Sequence, residues 1–475
     1  MQQSEREIRR LALSCLLLSF VGPVPPQWLL DALAEGLGGV VLFGSNLGDG
    51  RGVAALSAKL RETAGHEIVL ALDEEGGDVT RLDTVRGSSS PGAAALGYLD
   101  DLSATEAVYR HLGTRCAQAG VTLNLAPVAD VNVDPLNPVI GLRAFSDDSD
   151  VAARQVGAAV RGIESTGVAA CLKHFPGHGA TRTDSHHEVA VLDRTRAEID
   201  AVELAPFRAG IAAGARAVMT AHLVVPALDP SVLATVSAPI STGLLRGELG
   251  FAGAVVTDAL EMRALAGTMG LVEGFVQALI AGADTIETGA LDYPDLVAAI
   301  PAAVSAALAD GRLTRARLED AARRTAALAT PPRVAEVPAP DHGIAARCLE
   351  VVGRLPELHH PLVIECRTPG GMASGLLPWS VGEPLADLMP GTEVVRTDET
   401  VDLSDDRDLV LVVRDPQRAV WQLPMIEAAK RHRRAVVVDC GWPAQIADVP
   451  VVRTRGIAPG LLRAAAHTLA AGGRA

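Results

Sequence analysis

The sequence predicts an α/β protein: an N-terminal (β/α)8 barrel of the TIM type, followed by a smaller α/β sandwich domain. Three observations predict it. Apolar, strand-like runs recur eight times between residues 13 and 287. Ala- and Leu-rich stretches with helical spacing lie between most of them. A proline-rich segment then separates this part from a second set of strands and helices. Eight buried parallel strands with helical crossovers match a closed barrel. A doubly wound open sheet is the alternative, but no G-x-G-x-x-G opens the chain.

The strand candidates in order are Leu13–Phe20, Gly39–Phe43, Ile68–Asp73, Leu123–Val128, Ala169–His174, Ala217–His222, Ala254–Asp258 and Asp284–Glu287. Helices are expected over Ser103–Ala119, Asp150–Thr166, Arg196–Ala213 and Leu271–Ala281. The first opens on Ser103-Ala-Thr-Glu106, a capping box. At the N-terminus Arg9-Arg10 precede an apolar run, Leu11–Phe20, that mimics a signal peptide. Glu5 and Glu7 argue against one, no A-x-A site follows, and the run is too short to span a bilayer. It is expected as a buried strand, in a cytoplasmic protein. The barrel domain is expected over 1–329. Residues 330–343, with Thr330-Pro-Pro-Arg-Val-Ala-Glu-Val-Pro-Ala-Pro340 at their start, form a stiff linker. The second domain covers 344–475, with strands at Leu362–Glu365, Leu409–Val413 and Ala435–Val438 and helices at Met425–Arg431 and Ala458–Ala470.

Composition narrows the function. The chain has 475 residues, 48% hydrophobic and 21% charged, so it is globular, and only 3% are aromatic, so Ala, Val and Leu must fill its core. The formal net charge of −15 argues against a nucleic-acid partner and against an anionic membrane surface. Six cysteines are scattered through apolar runs without a C-x-x-C pair, which reads as buried thiols in a reducing compartment.

The chemistry gathers where the strands end, which in such a barrel is the mouth of the active site. The second strand leads to Gly44-Ser45-Asn46, the third to Asp73-Glu74-Glu75-Gly76-Gly77 with Arg81 beyond, and the fourth to Asp130. The fifth gives Lys173-His174, the sixth His222, the seventh Asp258 and the eighth Glu287. Singly, each fits a helix cap or a loop salt bridge. Together they read as a ring of carboxylates, a lysine and imidazoles, suited to a neutral, hydroxyl-rich ligand. The loop after the fifth strand, K-H-F-P-G-H-G-A-T-R-T-D-S-H-H (173–187), is the densest stretch. Glycosidic hydrolysis needs one group to protonate the leaving oxygen and another to capture the sugar cation. Asp258 fits the nucleophile. His186, held by Asp184, fits the acid/base. Glu75, beside two glycines, is expected to fix its loop by accepting backbone N–H bonds, and His178 to support the loop that carries it.

These residues carry a resemblance. The chain resembles the family-3 glycoside hydrolases, in the β-N-acetylglucosaminidase branch. The matching runs are G-G-V-V-L-F-G-S-N (38–46), D-E-E-G-G (73–77), N-L-A-P-V-A-D (124–130), G-L-R-A-F (141–145), K-H-F-P-G-H-G (173–179), D-S-H (184–186), V-M-T-A-H (218–222) and V-V-T-D-A-L-E-M (255–262), in the family's order. The resemblance implies a retaining hydrolase of terminal β-linked N-acetylglucosamine in cell-wall or chitin-derived saccharides. Asp258 would be the nucleophile, His186 the acid/base and Asp184 its partner. Asp73, Arg81, Arg143, Lys173, His174 and His222 would bind the sugar. No metal and no organic cofactor is implied. The chain departs from the family's D-Q-E-G-G-R pattern at Glu74 and Asp78, and Ala180 stands where H-G-D-T has an aspartate. The second domain resembles the one that follows the barrel in many members, and no catalytic residue is expected there. Packing is expected of Trp379, Trp421 and Trp442.

Three other readings stay open. A histidine acid/base tolerates phosphate as acceptor, where an ionised glutamate would repel it, so a phosphorylase is possible. His174, His178, Asp184, His186 and His187 could ligate a metal in a metal-dependent hydrolase, although Lys173 beside them would repel a cation. A binding protein with a degenerate site is the third, opposed by the intact Asp258, Asp184 and His186. The sequence leaves the oligomeric state open.

Overall fold

A computed structural model describes residues 2–48, 50, 52–183, 188–332, 336, 342–368, 373–375, 377–404 and 406–472. Asp184, His186 and His187 therefore lie outside the described residues, as does most of the proline-rich segment. Eight parallel strands form the barrel: Leu16–Leu18, Gly39–Val41, Val69–Leu72, Leu123–Asn124, Ala169–Phe175, Ala217–Thr220, Ala254–Thr257 and Ile286–Glu287. Neighbours in sequence pair side by side, and the first pairs with the eighth. A parallel bridge between Val256 and Thr285 closes the ring. Alternate residues face in and out. Small inward side chains such as Val41, Ala71, Cys171, Ala217 and Val256 fill the interior. Outward ones such as Leu70, Leu172, Val218 and Val255 pack under the helices.

Several expected boundaries shift. The apolar run Leu11–Phe20 is not one strand: the helix Gln2–Ser14 takes its first part and the strand is Leu16–Leu18. The charged residues before the run belong to that helix, which turns Leu11, Ala12 and Leu13 inward. The fourth strand stops at Asn124, because Pro127 has no N–H to continue the ladder. The helix Leu102–Gln118 is capped by Asp101, not by Ser103; the Asp101 carboxylate accepts the N–H groups of Ser103 and Ala104. Glu106 instead pairs with Arg110 and Arg161.

The second domain is a six-stranded sheet in the order Glu350–Val352, Val451–Arg453, Ala435–Asp439, Leu409–Val413, Leu362–Cys366 and Glu393–Thr397, with only the first strand antiparallel. One face packs on the helices Gly382–Leu388 and Pro459–Ala471 through Val363, Val410, Val438 and Leu462. The other packs on Leu423–Arg431 through Ile364, Leu411, Val437 and Ile426. This is the expected α/β sandwich. Polar and stacking contacts help seat it on the barrel, beside apolar packing by Ile344, Cys348, Ala458 and Leu461. Arg414 pairs with Asp78, the Ile457 N–H donates to Asp78, the Arg455 guanidinium lies 3.8 Å over the Tyr98 ring, and Arg347 pairs with Asp101.

Candidate active site

Asp73 and Glu75 follow the third strand two residues apart, so an extended backbone sends both carboxylates to the same side. Lys173 lies within the buried fifth strand and reaches across. Its Nζ lies 2.6 Å from Asp73 Oδ1 and 2.7 Å from Glu75 Oε1. Arg81 comes back along the same loop to within 3.3 Å of Asp73. Arg143 grips Glu75 with two bonds, of 2.9 and 2.8 Å. Burial by itself would raise the Asp73 carboxyl, but Lys173 and then Arg81 outweigh it and hold it below the usual carboxylate range. Burial likewise opposes ionisation of Glu75, and Arg143 and Lys173 more than reverse that. Desolvation would lower the Lys173 ammonium, yet Asp73 and Glu75 keep it raised and charged.

The arc continues onto the fourth strand's loop. Arg143 Nη2 lies 3.4 Å from His174 Nε2, and His174 Nδ1 lies 2.7 Å from Asp130 Oδ2. Asp130 also accepts the His178 N–H at 2.6 Å, so one carboxylate ties the fifth strand to its loop. The His178 ring is buried against Thr181 Oγ1, and burial lowers its pKa to about 4. It supports the loop, as expected.

Asp258 stands on the far side, at the end of the seventh strand. Its backbone N–H donates to the Thr220 carbonyl at 3.1 Å and its Oδ1 accepts the Ala259 N–H at 2.8 Å. Both bonds fix the turn that presents the carboxylate. Glu287 is buried next to it on the eighth strand, and desolvation, then the nearby Asp258 and Asp73 charges, push its carboxyl well up. His222 has ring nitrogens 2.7 Å from Thr235 Oγ1 and 3.0 Å from the Ala259 carbonyl. It thereby braces the Asp258 turn.

One expectation is reversed. Glu74, not Glu75, fixes the loop: its carboxylate accepts from Thr80 Oγ1 and from the N–H groups of Arg81 and Leu82. Glu75 belongs to the site. The two-residue period from Asp73 is the signal that could have found it. Asp73, Arg81, Arg143, Lys173 and His174 are brought into one hydrogen-bonded arc. Among the described residues, no three or more His, Cys, Asp and Glu side chains are placed to hold a metal ion. Beside the arc, a cavity of 460 Å³ runs between the domains, lined by Asp78, Arg143, Arg414, Arg418, Trp421 and Trp442. Trp421 and Trp442 are half-buried in its wall, not sealed in a core.

A charged arc thus faces a strand-end carboxylate across the mouth of a (β/α)8 barrel. Residues 28–328 match the model of the glycosyl hydrolase family 3 N terminal domain, and the chain belongs to that family of glycoside hydrolases. A beta-hexosaminidase from Xylella fastidiosa (strain M23) is 40% identical over 277 residues, covering 57% of this chain and 80% of the relative. The solved structure of a glycoside hydrolase family 3 beta-N-acetylglucosaminidase from Paenibacillus sp. str. FPU-7 superposes with a TM-score of 0.86 at 30% identity, over 97% of this chain and 96% of that one. A beta-N-acetylhexosaminidase from Beutenbergia cavernae DSM 12333 matches 68% of this chain and 98% of its own at 32% identity and a TM-score of 0.61.

Proposed function

We propose that the protein is a retaining, exo-acting β-N-acetylglucosaminidase. It would remove terminal β-linked N-acetylglucosamine from cell-wall or chitin-derived saccharides. The observation that carries this reading is the placement of Asp258 at the end of the seventh strand, across the barrel mouth from the Asp73–Lys173–Glu75–Arg143 arc. The names of the relatives in hand point to the acetamido sugar.

In this reading Asp73, Arg81, Lys173 and His174 hold the ring hydroxyls, and Arg143 keeps Glu75 in place. Asp258 attacks the anomeric carbon as the glycosidic bond breaks, and His186 gives its proton to the leaving oxygen. That yields a glycosyl ester on Asp258. Water then attacks the same carbon from the face the leaving group vacated. His186 takes the water's proton, the ester bond breaks, and the sugar leaves with its original configuration. Asp184 keeps the imidazole oriented. Two inversions at one carbon give retention. A cytoplasmic setting is part of the proposal, and it fits six buried cysteines, none in a disulfide.

The test is turnover of an aryl β-N-acetylglucosaminide against the aryl β-glucoside, with phosphate and EDTA as separate additions. Strong preference for the acetamido sugar, free sugar as product with phosphate present, and indifference to EDTA support the proposal. Sugar-1-phosphate as the product would make the enzyme a phosphorylase. Loss of activity in EDTA would return the histidine loop to a metal site.

A further inference from the structure

Asp78 stands where the family pattern carries an arginine, and the reversed charge has a partner. Its carboxylate is 8% exposed. Oδ2 accepts from Arg414 Nη2 at 2.7 Å and Oδ1 accepts the Ile457 N–H at 3.0 Å. Both donors belong to the second domain. Asp78 lies midway between Glu75 and Arg81, on the turn that carries the third-strand wall of the site. Inside the barrel that turn is already pinned: Glu75 N–H donates to the Val79 carbonyl and Val79 N–H to the Gly76 carbonyl, at 3.1 Å each. Gly77 has φ +57, and a side chain there would come within 2.5 Å of Gly92 Cα, so the turn is pressed against backbone. Its outer side is held by Asp78 alone among the ion pairs of the described residues that cross to the second domain from this turn.

Arg414 is fixed from its own side. It follows the central strand Leu409–Val413, its N–H donates to Gln422 Oε1 at 3.0 Å, and its carbonyl accepts from Gln422 Nε2 at 2.9 Å. A rigid strand end therefore holds one end of the pair. Arg414 also lines the interdomain cavity together with Asp78 and Arg143, the residue that clamps Glu75. Removing either partner leaves the other charge buried and uncompensated, and the side free to move is the turn.

We propose that Asp78 is a positioning residue through which the second domain sets the sugar site: the Asp78–Arg414 pair, with the Ile457 N–H, holds the Asp73–Arg81 turn in its binding geometry. The inference rests on the reading that Asp73 and Arg81 grip the sugar. The second domain then contributes to binding without supplying a catalytic group.

The experiment compares the full chain with Asp78→Asn, Arg414→Met and the double variant. Two readouts are taken: KM and kcat on an aryl β-N-acetylglucosaminide, and hydrogen exchange of the peptide spanning residues 74–82. Each single variant is expected to raise KM about tenfold with kcat changed less than about threefold, since ground-state grip is lost and the chemistry is not. The double variant should be no worse than the worse single, because both act through one contact. Exchange of the 74–82 amides should speed up in each variant. A contact that merely glues the domains would lower the folded fraction, and with it the maximal rate, without moving KM. KM within twofold of wild type in both single variants, with unchanged exchange, overturns the proposal. If the wild type turns over no acetamido sugar, the activity reading fails by itself and the exchange data decide the positioning claim.

Discussion

Lys173 is 1% exposed and lies between two carboxylates. Replacing it with methionine keeps the length and removes the charge, leaving Asp73 with Arg81 alone and Glu75 with Arg143 alone, and the two carboxylates unscreened from each other. Lys173→Met is expected to cost about 3 kcal/mol in urea unfolding at neutral pH. The pH sense follows from the shifts. Asp73 and Glu75 are held below their ordinary range, so their contribution is complete above the unfolded carboxyl pKa and fades as pH falls towards their folded values. His178 is also depressed, to about 4, and stays neutral in the fold. Below pH ~6.5 the unfolded chain gains a proton that the native one refuses. Stability therefore falls as pH drops from there to about 4, by up to about 3 kcal/mol. His178→Asn keeps a donor near Thr181 and cannot titrate, so its unfolding free energy should lose less than wild type's across the same window. Equal losses would place the pH sensitivity elsewhere.

At the scale of elements, the histidine loop is set by close approach. A Cβ at Gly179 would come 1.8 Å from the Val131 carbonyl oxygen, and one at Gly177 2.7 Å from Glu203 Cγ. Gly179→Ala must separate the fifth strand's loop from the Asp130 loop. The expected result is a loss of about 1–3 kcal/mol in thermal unfolding and a fall in turnover larger than the stability loss explains. These approaches show why the sequence is legible only in part. The eight strands are readable because each is an apolar run, and five of the eight runs end on an ionisable residue. Glu393–Thr397 escapes notice because it is an edge strand with alternating and exposed residues, and Val451–Arg453 because it is short. Lys173, His174 and Arg143 can be chosen from motifs, but a sequence does not state which carboxylate each will meet. Glu74 and Glu75 are chemically alike, and only the direction of the chain after Leu72 sends one into the loop and the other into the site.

For the whole molecule, the second domain seats on the barrel through charge, stacking and a few apolar side chains that join the barrel's core. Its two apolar clusters are its own, although Ile344, Cys348, Ala458 and Leu461 pack with the barrel's helices. A double-mutant cycle of Arg455→Ala and Tyr98→Ala in urea unfolding should return a coupling of about 1 kcal/mol. No coupling would mean that the domains do not meet at this surface in solution. No single helix among the described residues is long and apolar enough to cross a bilayer.

In the proposed mechanism the Asp258 carboxylate captures the sugar. The direct measurement is peptide mapping of protein quenched during reaction with an activated 5-fluoro aryl β-N-acetylglucosaminide, which slows breakdown of a glycosyl ester. A single sugar adduct on the peptide containing Asp258, absent in Asp258→Asn together with a fall in turnover of about three orders of magnitude or more, is the outcome expected here. An adduct on another carboxylate, or rapid turnover with no adduct and an inverted first-formed sugar, would contradict it.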